Sequence, residues 1–380
     1  MKESIYSRIK KAAGEGGVLP ESFNILLPYD ASGEAAGGDA SVNAEVTADG
    51  NTPGSDSQED GKKPKKRKKT RRDIASLDSG EPAPRQGEFD AVMVRIPGRM
   101  KHSVFVNFYI ALRVKSAIEA FYVLKKKSGG LKQSKIERLE RKVYNVMTLI
   151  DRYEPVSVID PVLSQLATLK TDREKAAMFG EYLATEGVTV QQVKTGIALL
   201  GTFGDASYKE LLTSLGMCEE LTFFAVKALR TVIKDNGEFA RTAQKLAAGL
   251  RGWGKVAAIL EMPDKIEDED VRRWILSHGA QNELGLYISA CECAIKGDLK
   301  GYMMSLDGME ILVDKDLGDG ICDIFDGLFQ AEKVKDADSF SEVPDIYLAV
   351  ASFKAAEARG CFQLCREAPR IVDKLTARRI

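Results

Sequence analysis

The chain has 380 residues, 44% of them hydrophobic, and a formal net charge of -1. That length and apolar content suit two or three ordinary domains or one elongated array of repeats. The six cysteines (Cys218, Cys291, Cys293, Cys322, Cys361 and Cys365) follow no regular spacing, which argues against a disulfide framework and for thiols acting as small hydrophobes in a reducing cytoplasm.

The N-terminus, MKESIYSRIKK, lacks the apolar core of a secretory signal, and residues 3–13 predict a short helix. Residues 1–29 form a short helical and apolar segment, the helix followed by a Gly14–Gly17 break and an apolar LPESFNILLPY stretch, after which the composition changes. Residues 30–61 carry eight acidic residues and no basic one. Residues 62–72, KKPKKRKKTRR, carry nine basic residues and no acidic one: Lys62, Lys63, Lys65, Lys66, Arg67, Lys68, Lys69, Arg71 and Arg72. Such a stretch buries too little apolar surface to offset the entropy of ordering it, so 30–87 is expected to be a disordered insert. The basic run would attract a polyanion such as nucleic acid or anionic lipid, with binding that weakens steeply as salt rises. With no aromatic residue interleaved, base stacking is not supported.

FDAVMVRI at 89–96 predicts an isolated strand. Residues 88–155 then form a basic helical region; 99–142 hold twelve Lys or Arg against three Glu, whereas 298–345 are mostly acidic. Surfaces of opposite sign can therefore coexist under a near-neutral total. The apolar stretch 104–124 contains Arg113, Lys115 and Glu119, which argues for an amphipathic helix and against a membrane span.

Beyond residue 101 the apolar residues recur at steps of three and four, the signature of helix faces. Examples are Ile136, Leu139, Val143, Val146, Met147 and Ile150, then Ile159, Val162, Leu163 and Leu166, then Val190, Val193, Ile197 and Leu200. Leu221, Phe224, Ala225, Ala228, Leu229 and Val232 continue the series, as do Phe239, Ala243, Leu246, Ala247 and Leu250, and Val271, Trp274 and Ile275. The helices also repeat in pairs, with a glycine near the end of each first helix at Gly187, Gly216, Gly249 and Gly279. Each of these glycines is expected to take the left-handed cap conformation.

A period near thirty residues predicts an all-α, right-handed α-solenoid of stacked helical hairpins over 156–380. The unit resembles a degenerate HEAT-like repeat, best in RGWGKVAAILEM and in EDEDVRRWILSHGAQNELGLYISACECAIKGDL, and recognisable over roughly 160–300. The turn motif of ankyrin repeats and the tetratricopeptide pattern are both missing. Bacterial proteins similar to this tract carry the name limonene hydroxylase, a resemblance that implies an oxygenase with haem, non-haem iron or flavin.

A non-haem iron triad takes two histidines and a carboxylate. The chain has two histidines, His102 and His278, in unrelated contexts. No cysteine lies in the Phe- and Gly-rich loop of a haem-thiolate enzyme, and GLRGWG at 249–254 follows no predicted strand. In CEC, Cys291 and Cys293 point apart on a helix; Cys361 and Cys365 share a face but lack matching zinc ligands. DKDLGDGICDIF at 314–325 has Asp319 and Phe325 where a calcium loop needs Gly and Glu, so it reads as a solvated acidic turn before a helix.

No catalytic, metal or cofactor site emerges. The sequence points to a cytoplasmic, non-enzymatic scaffold that binds an unidentified protein, with Trp253 and Trp274 as candidate exposed anchors and core packing as their alternative. A second reading is a nucleic-acid-associated protein that binds through 62–72 and 99–142. The oxidoreductase implied by the resemblance is a third.

Overall fold

The computed structural model describes residues 3–14, 18–20, 23–26, 85–88, 90, 103–305, 315–333, 352–354 and 356–363. Among them all regular structure is helical, and no helix is long and apolar enough to cross a membrane. The chain divides into two units, Pro28–Arg85 and the remainder, Met1–Leu27 with Gln86–Ile380. Every element below belongs to the remainder.

α1 (Ile5–Ala13) is capped by Ser4, whose hydroxyl accepts from the Ser7 amide at 3.3 Å. α2 (Val104–Lys127) and α3 (Gln133–Ile150) form a hairpin around a short 3-10 turn. There follow α4 (Pro155–Thr168), α5 (Arg173–Glu186), α6 (Val190–Phe203), α7 (Lys209–Gly216), α8 (Thr222–Val232), α9 (Asn236–Ala248) and α10 (Trp253–Glu261). α11 (Glu269–Trp274) runs into a π-helical turn, Ile275–Gly279, and α12 (Ala290–Lys296), α13 (Leu299–Ser305) and α14 (Lys315–Lys333) complete the series. Asp172, Asp235 and Asp268 cap α5, α9 and α11 by accepting from amides two or three residues on, which fixes where each first helix begins.

Helices pack in consecutive pairs, α5 on α6, α7 on α8, and α9 on α10. The second helices α4, α6, α8 and α10 each touch the next, and so do the first helices α7, α9 and α11. Polar links join neighbouring pairs at a near-constant sequence separation. Lys209 pairs with Glu238 at 2.5 Å, 29 residues on, and Arg241 with Asp268 at 2.8 Å, 27 residues on. Arg230 donates to the Glu261 carbonyl 31 residues away, and Thr231 to the Gly201 carbonyl 30 residues away. Side chains at the predicted apolar positions supply the core: from Leu221 to Val232 all six are buried, as are the five from Phe239 to Leu250.

The four repeat glycines depart from expectation, since none is left-handed. Gly187 is extended (φ -61, ψ 132), and Gly249 is near-helical (φ -90, ψ -1). Their need for glycine is steric. A Cβ would meet the Leu183 carbonyl at 2.3 Å from Gly187, Met217 Cε at 2.8 Å from Gly249, and Cys293 Sγ at 2.7 Å from Gly279. At Gly216 the Ala225 and Leu246 side chains would stand 3.2 Å away, so Gly216, Gly249 and Gly279 mark close approach between helices, whereas at Gly187 the nearest obstacle is a carbonyl of its own helix, with Val193 of α6 next at 3.0 Å.

Two further expectations change. Of the predicted strand 89–96 only Asp90 is described, and it is helical, held by a buried ion pair instead of by a sheet partner. The acidic stretch 314–325 is already helix from Lys315, because Ile321, Ile324 and Phe325 bury one face of α14. Gly320 brings α14 against the π turn, where a Cβ would lie 2.3 Å from the Leu276 and Ser277 carbonyls.

Candidate functional site

The row of second helices carries a groove of about 410 Å³. Its floor is apolar, with Leu163 from α4, Ala198 from α6, and Phe223 and Ala228 from α8. Its rim is polar and of mixed sign, with Asp160, Lys227, Arg230 and Glu261. Gly201 sets how closely α6 and α8 approach, because a Cβ there would meet Ala228 Cα at 2.8 Å. The Thr231 hydroxyl bridges the same two helices, 2.6 Å from the Gly201 carbonyl and 2.7 Å from that of Ala228. Lys227 Nζ sits 4.5 Å from the centre of the Phe223 ring, a cation–π contact that holds both side chains at the groove wall. Arg230 Nη1 donates to the Glu261 carbonyl at 2.7 Å and lies 3.7 Å from its carboxylate, closing the rim between α8 and α10.

Two adjacent glutamates in the turn before α8 fix these helices from beneath. Glu219 accepts from the amides of Arg251 at 2.7 Å, Gly252 at 2.8 Å, and Gly254, so a carboxylate occupies the positive end of α10. This explains the glycines of GLRGWG: a Cβ on Gly254 would stand 2.6 Å from Thr222 Oγ1 and 2.7 Å from Glu219 Oε2. Glu220 faces the other way. It accepts from Lys194 Nζ of α6 at 2.5 Å and from the Gly87 amide at 2.6 Å. Gly87 is left-handed (φ +74), with the Glu219 carbonyl 2.8 Å from where a Cβ would sit, so only glycine fits that turn.

Lys194 Nζ also lies 2.5 Å from Asp90 Oδ2, and the side chains of Lys194, Asp90 and Glu220 are 2%, 0% and 8% exposed. The Asp90 contact is a charge pairing without good hydrogen-bond alignment, and Oδ1 meets no donor among the described residues. Burial pushes the Asp90 carboxyl from its ordinary value up to about 6; Lys194 opposes the shift, and Glu220 adds to it. Burial alone would lower the Lys194 pKa, but Glu220 and Asp90 outweigh it and hold the ammonium above the usual lysine range. The cluster is closed to solvent. It fastens the 86–90 segment to α6 and to the turn before α8.

The nine basic residues from Lys62 to Arg72, together with His102 and Cys365, lie outside the described residues. Trp253 is 4% exposed and packs with Val256 and Ile288, so its ring is core and is not offered as a surface anchor. Trp274 is half-buried, stacked on His278 with ring centres 6.1 Å apart. Neither tryptophan lines the groove. Cys291 Sγ faces Cys361 Sγ at 2.7 Å, and Cys293 is buried apart from them. No cluster of three or more His, Cys, Asp or Glu with metal-binding geometry occurs among the described residues.

Sequence reasoning missed the groove and both glutamates. The single trace was the acidic pair before an apolar helix, which periodicity alone does not separate from a solvated turn. Comparison with family models, curated proteins and solved structures finds no match to this chain.

Proposed function

We propose that the chain is a HEAT-like α-solenoid acting as a non-enzymatic scaffold, with the second-helix groove holding an extended or helical peptide segment of a partner protein. The observation that carries this reading is the groove itself: an apolar floor of Leu163, Ala198, Phe223 and Ala228 under a rim of mixed charge. Stacked hairpins present such faces to macromolecules, since each second helix contributes only one or two side chains and the ligand must span several. The rim suits a peptide better than a polynucleotide. Asp160 and Glu261 would repel phosphates, and Arg230 is already engaged by Glu261.

A displayed random-peptide library panned against the full chain tests this. Selected peptides are expected to lose at least about tenfold in affinity in Phe223→Ala and Lys227→Ala, about 1.4 kcal/mol. Peptides that bind these variants unchanged would place docking elsewhere. Retention of single-stranded polynucleotide at low salt that deletion of 62–72 abolishes would favour the nucleic-acid reading.

A further inference from the structure

α2 is apolar on two opposite faces over its first half. Ile110, Ala111, Val114, Ala117 and Ile118 are buried against the neighbouring helices. On the other side Val104 is 71% exposed, Phe105 85%, Phe108 41%, Tyr109 52% and Leu112 42%. At about 100° per residue these five fall within an arc of about 140°, so they form one continuous patch. Single exposed apolar residues are ordinary, but five large ones on one helix face mark a contact surface.

The sequence leading into the patch is basic, and the first acid beyond it, Glu119, is paired with Lys175 at 2.8 Å. Residues 91–118 contain Arg95, Arg99, Lys101, Arg113 and Lys115 and no acidic residue. Arg113 is exposed and borders the patch on α2. We infer that this face docks on an anionic lipid surface, with Phe105, Phe108, Tyr109 and Leu112 entering the boundary between headgroups and acyl chains and Arg113 remaining among the headgroups.

Three considerations select this occupant. Aromatic side chains flanked by Arg and Lys match the polarity step at a membrane surface, where rings favour headgroup depth and cations favour anionic lipid. A second copy packed face to face would bring together two faces that each carry Arg113 and no acidic side chain within the patch, and like charges across an interface oppose association. The patch is also a convex helix face, without the concavity that anchors a peptide side chain. It is separate from the second-helix groove, so the lipid contact and the peptide reading stand or fall independently.

Sedimentation of the full chain with vesicles tests the inference, using phosphatidylcholine alone or mixed with phosphatidylserine. The wild type is expected to partition onto the phosphatidylserine vesicles and much less onto phosphatidylcholine. The double variant Phe105→Ser/Phe108→Ser should lose at least about tenfold in partitioning, and Arg113→Glu a smaller amount. Both should keep the thermal midpoint, because their side chains are exposed. Four results overturn the inference: no partitioning by the wild type; equal partitioning by the double variant; loss only on deletion of 62–72, which would assign lipid binding to the basic run; or a dimer that the double variant dissociates. A drop in thermal midpoint with unaltered vesicle binding also overturns it, by showing the face to be covered by the chain itself.

Discussion

Lys194 and Asp90, 104 positions apart in sequence, bring Nζ and Oδ2 to 2.5 Å in a site closed to water. One ammonium there answers two carboxylates, since Glu220 shares it at the same distance. The cluster therefore carries an excess negative charge at neutral pH, and Asp90, the more deeply buried acid, takes the strain.

The Asp90 carboxyl, raised from 3.8 to about 6 in the folded chain, binds a proton more tightly there than in the unfolded chain. Its stabilising contribution is therefore complete below about pH 4 and lost as pH rises through about 6, up to about 3 kcal/mol in all. Asp90→Asn removes that dependence. Urea midpoints for both proteins between pH 4 and 7 should converge or cross as pH changes; a constant difference across the range would contradict the assignment.

Lys194→Met leaves Asp90 and Glu220 buried together without a counter-charge. A loss of about 3–5 kcal/mol is expected, the usual cost of removing one partner from a buried pair. Adding Asp90→Asn and Glu220→Gln to the same chain should recover much of it. Denaturant titration of the single and triple variants measures both effects, and an equal loss in the two would mean that packing, not charge, is at stake.

Glu219→Ala deprives three backbone amides at the start of α10 of their acceptor. The expected loss is about 1–3 kcal/mol, in the range of a helix cap plus unmet amides. Trp253, the first residue of α10, should report it as a red shift in fluorescence as the turn loosens. Glu219→Gln, which keeps one carbonyl oxygen, should fall between the two.

Gly201→Ala forces a methyl to within 2.8 Å of Ala228 Cα, so α6 and α8 must separate. About 1–3 kcal/mol of destabilisation is expected from the overpacking. Ala228→Gly in the same chain should return part of it. Thermal midpoints of the wild type and the two variants decide, and a harmless Gly201→Ala would show that the helices shift apart freely.

The helix faces were legible because periodicity is local: the spacing of Leu221, Phe224, Ala225, Ala228, Leu229 and Val232 is enough to place all six inside. The pairing of helices was legible for the same reason, through recurrence near thirty residues. The groove was not, because its floor draws single residues from α4, α6 and α8, and none is unusual within its own helix. Nor was the tie between Glu220 and Gly87, which spans 133 positions. The repeat glycines stand at the ends of first helices as expected, yet they serve close packing and not a left-handed cap. Sequence marks a glycine without saying whether its φ angle or its missing side chain is wanted. α2 shows a related limit. Its charged residues suggested a dry face and a wet one, and the exposed aromatics at 105, 108 and 109 emerge only once the buried side is known.

The Gln86 side chain joins two distant parts of the chain: its amide donates to the Phe23 carbonyl at 2.8 Å, and its oxygen accepts from the Ile25 amide at 3.2 Å. Whatever lies between positions 26 and 86 thus departs from and returns to one spot. Doubling the length of such an excursion costs only about 0.6 kcal/mol in closure entropy. A lineage could lengthen, swap or excise that passage, basic run included, while the helical body kept its registration, so cargo and chassis are free to evolve at different speeds.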